Sequence, residues 1–171
     1  MIVREARPDQ LEAVSELIIS VYVGGGLVSA ESGYVAELRD SGRRSEDGEL
    51  LVAVDDGTGI DTDGPERGSL LGTVTYCDGG TELAEVAGPG EAGFRMLAVA
   101  VEAQGRGVGE ALVHACLERA RDRGASTMRL STKEDMHAAH RLYGRLGFTR
   151  TPELDWSPDP DVKLLTYALA L

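Results

Sequence analysis

Residues Gln104 to Gly109 read Q-G-R-G-V-G. They lie between an apolar run with strand character, Phe94 to Val101, and a run with helical periodicity, Val108 to Arg123, so the pattern predicts a glycine-rich turn at a helix N-terminus. Such a turn binds anions. The first backbone N–H groups of a helix have no intrahelical partner, and the aligned peptide dipoles leave about half a positive charge there, which suits a phosphate or pyrophosphate. Glycines at 105, 107 and 109 let the backbone approach that ligand with no Cβ in the way. Other chemistry is poorly supplied. His137 and His140 share a helix face and His114 stands near Cys116, but no spacing closes a four-ligand zinc site. Neither Cys77 nor Cys116 has a recognisable His/Asp arrangement for covalent catalysis. Asp61, Asp63 and Gly64 form a D-x-D-G fragment that lacks the following acid and the flanking helices of an EF-hand, so no metal is expected.

Three nucleotide motifs compete for the glycine turn. A P-loop requires Gly-Lys-Ser/Thr, which is absent. The dinucleotide fingerprint G-x-G-x-x-G is met at Gly105 and Gly107 but has Glu110 in its third glycine place, and it belongs after the first strand of a βαβ unit. The turn instead resembles Q/R-x-x-G-x-G/A, the pyrophosphate loop of the GCN5-related N-acetyltransferases, the GNAT superfamily. A second stretch, from Ala139 and His140 through Leu142, Tyr143 and Gly147 to Phe148, is similar to the superfamily's A-x-x-L-Y-x-x-x-G-F signature. The two motifs follow one another in the family's order, and the resemblance covers nearly the whole chain.

The resemblance implies an α+β (mixed α/β) fold over residues 1–171 as one domain. Its central sheet, mostly antiparallel and splayed, has six to seven strands and about four flanking helices. It implies acetyl-CoA as acyl donor, with the pyrophosphate at Gln104, Gly105, Arg106, Gly107, Val108 and Gly109. The pantetheine arm would lie along the backbone near Leu97, Ala98 and Val99, where a donor stabilises the developing oxyanion, and Ala139 takes the family's alanine position among the cofactor contacts. Tyr143 matches the family's tyrosine, whose phenol donates a proton to the departing thiolate; a packed core aromatic is the other role open to it. Glu91, at the start of the splayed strand, is the candidate base, with Glu85 and Glu82 behind it and a water chain as the alternative. Met136 stands where the family often has an asparagine that contacts the cofactor, leaving His137 or His140 as polar substitutes. Tyr22 and Tyr34 flank the connection that walls the family's acceptor site, and Trp156 lies on a loop facing that side. For each of these three, plain packing is an equal alternative.

The elements that must position these residues follow from periodicity. A short strand at Ile2 to Arg4 precedes an amphipathic helix that Pro8 opens, with Leu11, Val14, Leu17, Ile18 and Val21 on one face, and Gly24-Gly25-Gly26 breaks it. A second helix is expected from Glu31 to Asp40, with strands at Glu49 to Val54 and Ser69 to Cys77. The Asp- and Gly-rich segment between those strands, residues 55–68, reads as a long solvated hairpin loop. A strand at Ser126 to Ser131, a final helix carrying Tyr143, a loop from Thr151 to Asp161 and a closing strand, Val162 to Leu171, complete the pattern.

Composition limits the partners. At 171 residues the chain is long enough to bury a core without staples. Its 17 basic against 29 acidic residues give a net charge of −12, which argues against nucleic acid and anionic membranes. No apolar run approaches a membrane span, and no signal peptide is visible at Met1, so a cytoplasmic protein with reduced thiols is expected. The reading is thus an acetyl-CoA-dependent N-acetyltransferase acting on a primary amine of a small molecule or peptide, with a homodimer left open. An acyl-CoA-binding sensor on the same fold is the alternative.

Overall fold

The computed structural model describes residues 1–57 and 68–171; the D-x-D-G fragment lies outside the described residues. These form a mixed α/β structure with an open, mostly antiparallel sheet. Among the described residues there are eight strands and five α-helices. They divide into two units, Met1–Tyr76 with Met96–Ala115, and Cys77–Arg95 with Cys116–Leu171.

In the first unit β1 (Ile2–Glu5) pairs antiparallel with β2 (Glu49–Val54), and β2 pairs antiparallel with β3 (Leu70–Asp78). The second half of β4 (Ala92–Val99) follows β3 in the order. Helix α1 (Leu11–Ile19) begins after a turn that Pro8 starts, and continues into a wider π-type turn, Ser20–Gly24. Glycine is needed just beyond: a Cβ on Gly25 would collide with the Val21 carbonyl, and Gly26 has φ +74. The expected second helix, Glu31 to Asp40, is the shorter α2 (Tyr34–Arg39), and an additional helix, α3 (Ser41–Asp47), follows it because Asp40 ends the first and caps the next through a 3.0 Å bond from the Arg43 amide. Val14, Ile18 and Leu38 from these helices pack with Leu50, Val52, Met96 and Ala98 from the strands. Fully burying each such aliphatic side chain stabilises by about 1.5–3 kcal/mol.

Helix α4 (Val108–Asp122) has Glu110 in its first turn and Arg119 and Arg121 in its last, matching the helix dipole. Its N-terminal end sits hard against the strands. A Cβ on Gly72 of β3 would lie 2.8 Å from the Ala98 carbonyl, 2.9 Å from Val108 Cγ1 and 3.1 Å from Leu112 Cδ1. Gly72 is therefore the gap into which the start of α4 fits.

In the second unit the first half of β4 pairs in parallel with β5 (Thr127–Lys133), through Ala92 opposite Met128 and Gly93 opposite Arg129. Strand β8 (Val162–Ala170) pairs antiparallel with β5 along its length and with the short β6 (Thr149–Arg150). Helix α5 (His137–Arg145) carries Tyr143, and Gly147, at φ +87, turns the chain toward β6. The segment expected to be a loop contains β7 (Trp156–Asp159), which pairs with β8. No helix of the described residues is long and apolar enough to cross a membrane.

Candidate active site

The glycine turn has the conformation its composition demands. Gly105 and Gly107 adopt φ +76 and +78, and a Cβ on either would meet nothing within 4 Å, so the turn presents open backbone. The left-handed region is disfavoured for other residues by roughly 1–2 kcal/mol. The Ala111 amide bonds the Gly107 carbonyl at 3.0 Å, closing the first turn of α4 and leaving the earlier amides at its electropositive end. Gln104 through Gly107 are exposed, Val108 is buried as the anchor, and Gly109 is half-buried. Arg106 lies 3.7 Å from Asp55 and is more than a third exposed, a long and weak pair. The same unit holds the backbone of Leu97, Ala98 and Val99. The Gln104 side-chain Nε2 donates to the Val99 carbonyl at 3.5 Å, and the Tyr22 hydroxyl donates to the Leu97 carbonyl at 3.2 Å. Tyr22 is 9% exposed, so its hydroxyl serves the strand. Tyr34 opens α2 and packs, partly buried, against the first core.

The second unit holds Tyr143 in an aromatic cluster. Its ring centroid lies 5.9 Å from each of Phe94, Phe148 and Tyr167, and His140 lies 5.7 Å beyond on Tyr167. Burial pushes the Tyr143 phenol well above its ordinary value, so it stays protonated at any physiological pH. Ala139 is half-buried one turn earlier on α5. His140 Nε2 lies 2.9 Å from the Lys133 carbonyl, and the Met136 thioether accepts from Thr132 at 3.6 Å.

Glu91 is engaged. Arg129 Nε reaches its carboxylate at 2.7 Å and the Gly88 amide donates to the same oxygen at 2.9 Å. The Arg129 hydrogen bond, with that amide helping, holds the carboxyl below its usual range, which makes it a weak proton acceptor. Glu85 contacts Arg95 at 2.9 Å and Ser131 at 3.1 Å. Trp156 starts β7 beside Asp155, which Arg150 grips through both oxygens at 2.9 and 2.8 Å. The Trp156 Nε1 is buried and has no hydrogen-bond partner among the described residues. No cluster of three or more metal-ligating side chains occurs among the described residues.

The family model described as "Acetyltransferase (GNAT) family" matches residues 14–148. The chain belongs to this family. It is therefore an acetyl-CoA-dependent acetyltransferase. No curated protein matches its sequence. Among solved structures, an acetyltransferase of the GNAT family from Staphylococcus aureus Mu50 is 13% identical, with 99% of this chain and 98% of that chain covered and a TM-score of 0.75. A ribosomal-protein-alanine N-acetyltransferase from Brucella melitensis is 18% identical, with both chains fully covered and a TM-score of 0.69. A putative acetyltransferase from Salmonella typhimurium, solved with acetyl-CoA, is 19% identical, with 99% of this chain and 93% of that chain covered and a TM-score of 0.67. At these identities the likeness is one of fold.

Gly72, Arg44 and Met96 are residues that motif reading passes over. A glycine inside the apolar strand run around Leu71 and Val74 signals a close backbone approach, and that was the available sign of Gly72. Arg44 and Met96 carry no such mark.

Proposed function

We propose that this GNAT acetyltransferase transfers the acetyl group directly to a primary amine of a small molecule or peptide, with Tyr143 as the proton donor. The observation that carries the reading is the open glycine turn, with two left-handed glycines at the start of a 15-residue helix pinned by its buried face. A pyrophosphate fits that backbone because the turn offers amides and no side-chain bulk. Acetyl-CoA, when bound, supplies an acyl group activated as a thioester. Gln104 to Gly109 would hold its diphosphate, the backbone of Leu97 to Val99 would align the pantetheine arm, and Ala139 would pack beside it.

Tyr143 is assigned proton donation because it stands at the family's tyrosine position and its phenol carries a proton at neutral pH. Glu91 suits the base role poorly, since Arg129 and Gly88 already occupy its charge. We therefore assign removal of the amine proton to water, and give Glu91 the task of holding the start of β4. Tyr22 is assigned to the strand, and Trp156 and Tyr34 to the acceptor side. The protein functions in the cytoplasm on this reading.

Calorimetric titration with acetyl-CoA, followed by a panel of amines scored for free-thiol release, tests it. Micromolar binding with amine-dependent release is expected. Binding without release from any amine would show a sensor rather than a transferase, and no binding would refute the assignment of the turn.

A further inference from the structure

Met96 has φ +53 inside β4, in the region that glycine favours, one residue before Leu97. A non-glycine residue holds that conformation only where its surroundings over-determine it. Those surroundings are built around a buried cation. Arg44 of α3 is 2% exposed, and its Nη1 lies 3.1 Å from the Met96 thioether. Its Nε and Nη2 reach the helical layer. Nη2 donates to the Leu38 carbonyl at 3.1 Å and to Ser41 Oγ at 2.7 Å, while Nε donates to the Asp40 carbonyl at 3.3 Å. Ser41 is in turn 2.6 Å from Ser15 of α1, whose hydroxyl also reaches the Arg39 carbonyl at 2.7 Å. A planar fork fixed by three acceptors at the α2–α3 junction cannot move independently of them. The next residue is held from the same layer, because Tyr22, on the π-type turn after α1, donates to the Leu97 carbonyl.

We propose that Arg44 is a positioning residue of the cofactor strand. It ties the junction of α2 and α3 to the kink at Met96, and so fixes the direction in which the backbone of Leu97 to Val99 leaves that kink. Arg44 touches no reacting atom. Its effect falls first on the pantetheine arm, because the start of α4, which carries the diphosphate turn, is seated on Gly72 of β3 through Val108 and Leu112. The inference rests on the proposed use of Leu97 to Val99 for that arm.

The test compares two ligands on the full-length protein by calorimetry: acetyl-CoA, and adenosine 3′-phosphate 5′-diphosphate, the half of coenzyme A that lacks pantetheine. Arg44→Met keeps the side-chain length and removes the fork. It is expected to weaken acetyl-CoA about tenfold, while the pantetheine-free ligand binds as to wild type. Adding Met96→Gly should restore acetyl-CoA affinity, since glycine adopts positive φ without a clamp. Where Arg44→Met fails to fold, Met96→Leu removes the thioether at nearly constant volume and should weaken acetyl-CoA about threefold with the other ligand unchanged. Equal weakening of both ligands, no weakening of either, or no rescue by glycine overturns the proposal. Wild-type protein that binds the pantetheine-free half but gains nothing from acetyl-CoA refutes the use of Leu97 to Val99 itself, and is separable because it appears before any variant is made.

Discussion

Replacing Tyr143 with phenylalanine separates proton donation from packing. The ring is 4% exposed and touches Phe94, Phe148 and Tyr167 at 5.9 Å, contacts that phenylalanine retains. Its hydroxyl makes no hydrogen bond to the described residues, so deleting it strands no partner. The stability change should stay within about 1 kcal/mol. Loss of a general acid removes roughly 10²- to 10⁴-fold in rate, or about 3–5 kcal/mol of barrier lowering. The expected result is thus a kcat reduced at least a hundredfold with Tm and acetyl-CoA Kd nearly unchanged, read by thiol release, thermal melting and calorimetry on one preparation. Because burial raises the phenol from its ordinary 10, wild-type kcat should also show no loss from tyrosine ionisation up to pH 10. A Tyr143→Phe enzyme within threefold of wild-type kcat, with unchanged Kd, would refute the assignment. Parallel loss of Tm, Kd and kcat would make Tyr143 a packing residue.

Gly107→Ala adds left-handed strain of about 1–2 kcal/mol but meets no atom, so it should weaken acetyl-CoA by tenfold or so, whereas Gly107→Glu, which brings a charge to the diphosphate, should abolish binding; normal titration of the Glu variant would move the site elsewhere. Gly72→Ala forces its methyl group to within 2.8 Å of the Ala98 carbonyl and 2.9 Å of Val108, and a destabilisation of about 1–3 kcal/mol should accompany weaker acetyl-CoA binding. An unchanged Tm would show that α4 yields freely. Cys77 and Cys116 are 1% and 0% exposed, and burial pushes the Cys77 thiol up to about 12 and the Cys116 thiol higher still. Their folded values lie above the unfolded 9.0, so their contribution is complete below pH 9 and lost as pH rises toward 12. A thiol reagent at pH 8 should label neither until denaturant is added, and chemical stability should fall above pH 9. Rapid labelling of the native protein would contradict that burial.

What the sequence shows of this protein depends on where each structural cause resides. Strand β2 was legible residue for residue because Leu50 to Val54 form one apolar run bounded by Gly48 and Asp55. Helix α4 was equally plain, since its period, its glycine start and its basic end are all local. Helix α3 was missed because S-G-R-R-S-E-D contains no apolar residue to set a period; Asp40 as cap was its single local sign. Strand β7 was masked by Pro158 and Pro160, although a strand whose pairing runs to β8 can tolerate a proline on its outer edge. The candidate site divides in the same way. Gly105 and Gly107 announce their backbone angles by residue type. Glu91 looked like a base because nothing near it in sequence reveals Arg129, which arrives from the neighbouring strand and takes the charge a base would need.

Met96 is the limiting case of this division. Its residue type argues for an ordinary strand, yet it holds φ +53, and the groups that contact it and the next residue are distant in sequence, Arg44 of α3 and Tyr22 after the end of α1. Where a fold needs a kink for local reasons, glycine suffices and is readable. A methionine at positive φ instead fills the first core while keeping the kink, and it makes the conformation conditional on its neighbours. On the proposed use of Leu97 to Val99, backbone that meets the pantetheine arm is held by the same contacts that close the core, so a change at α3 would reach that strand without touching the cofactor.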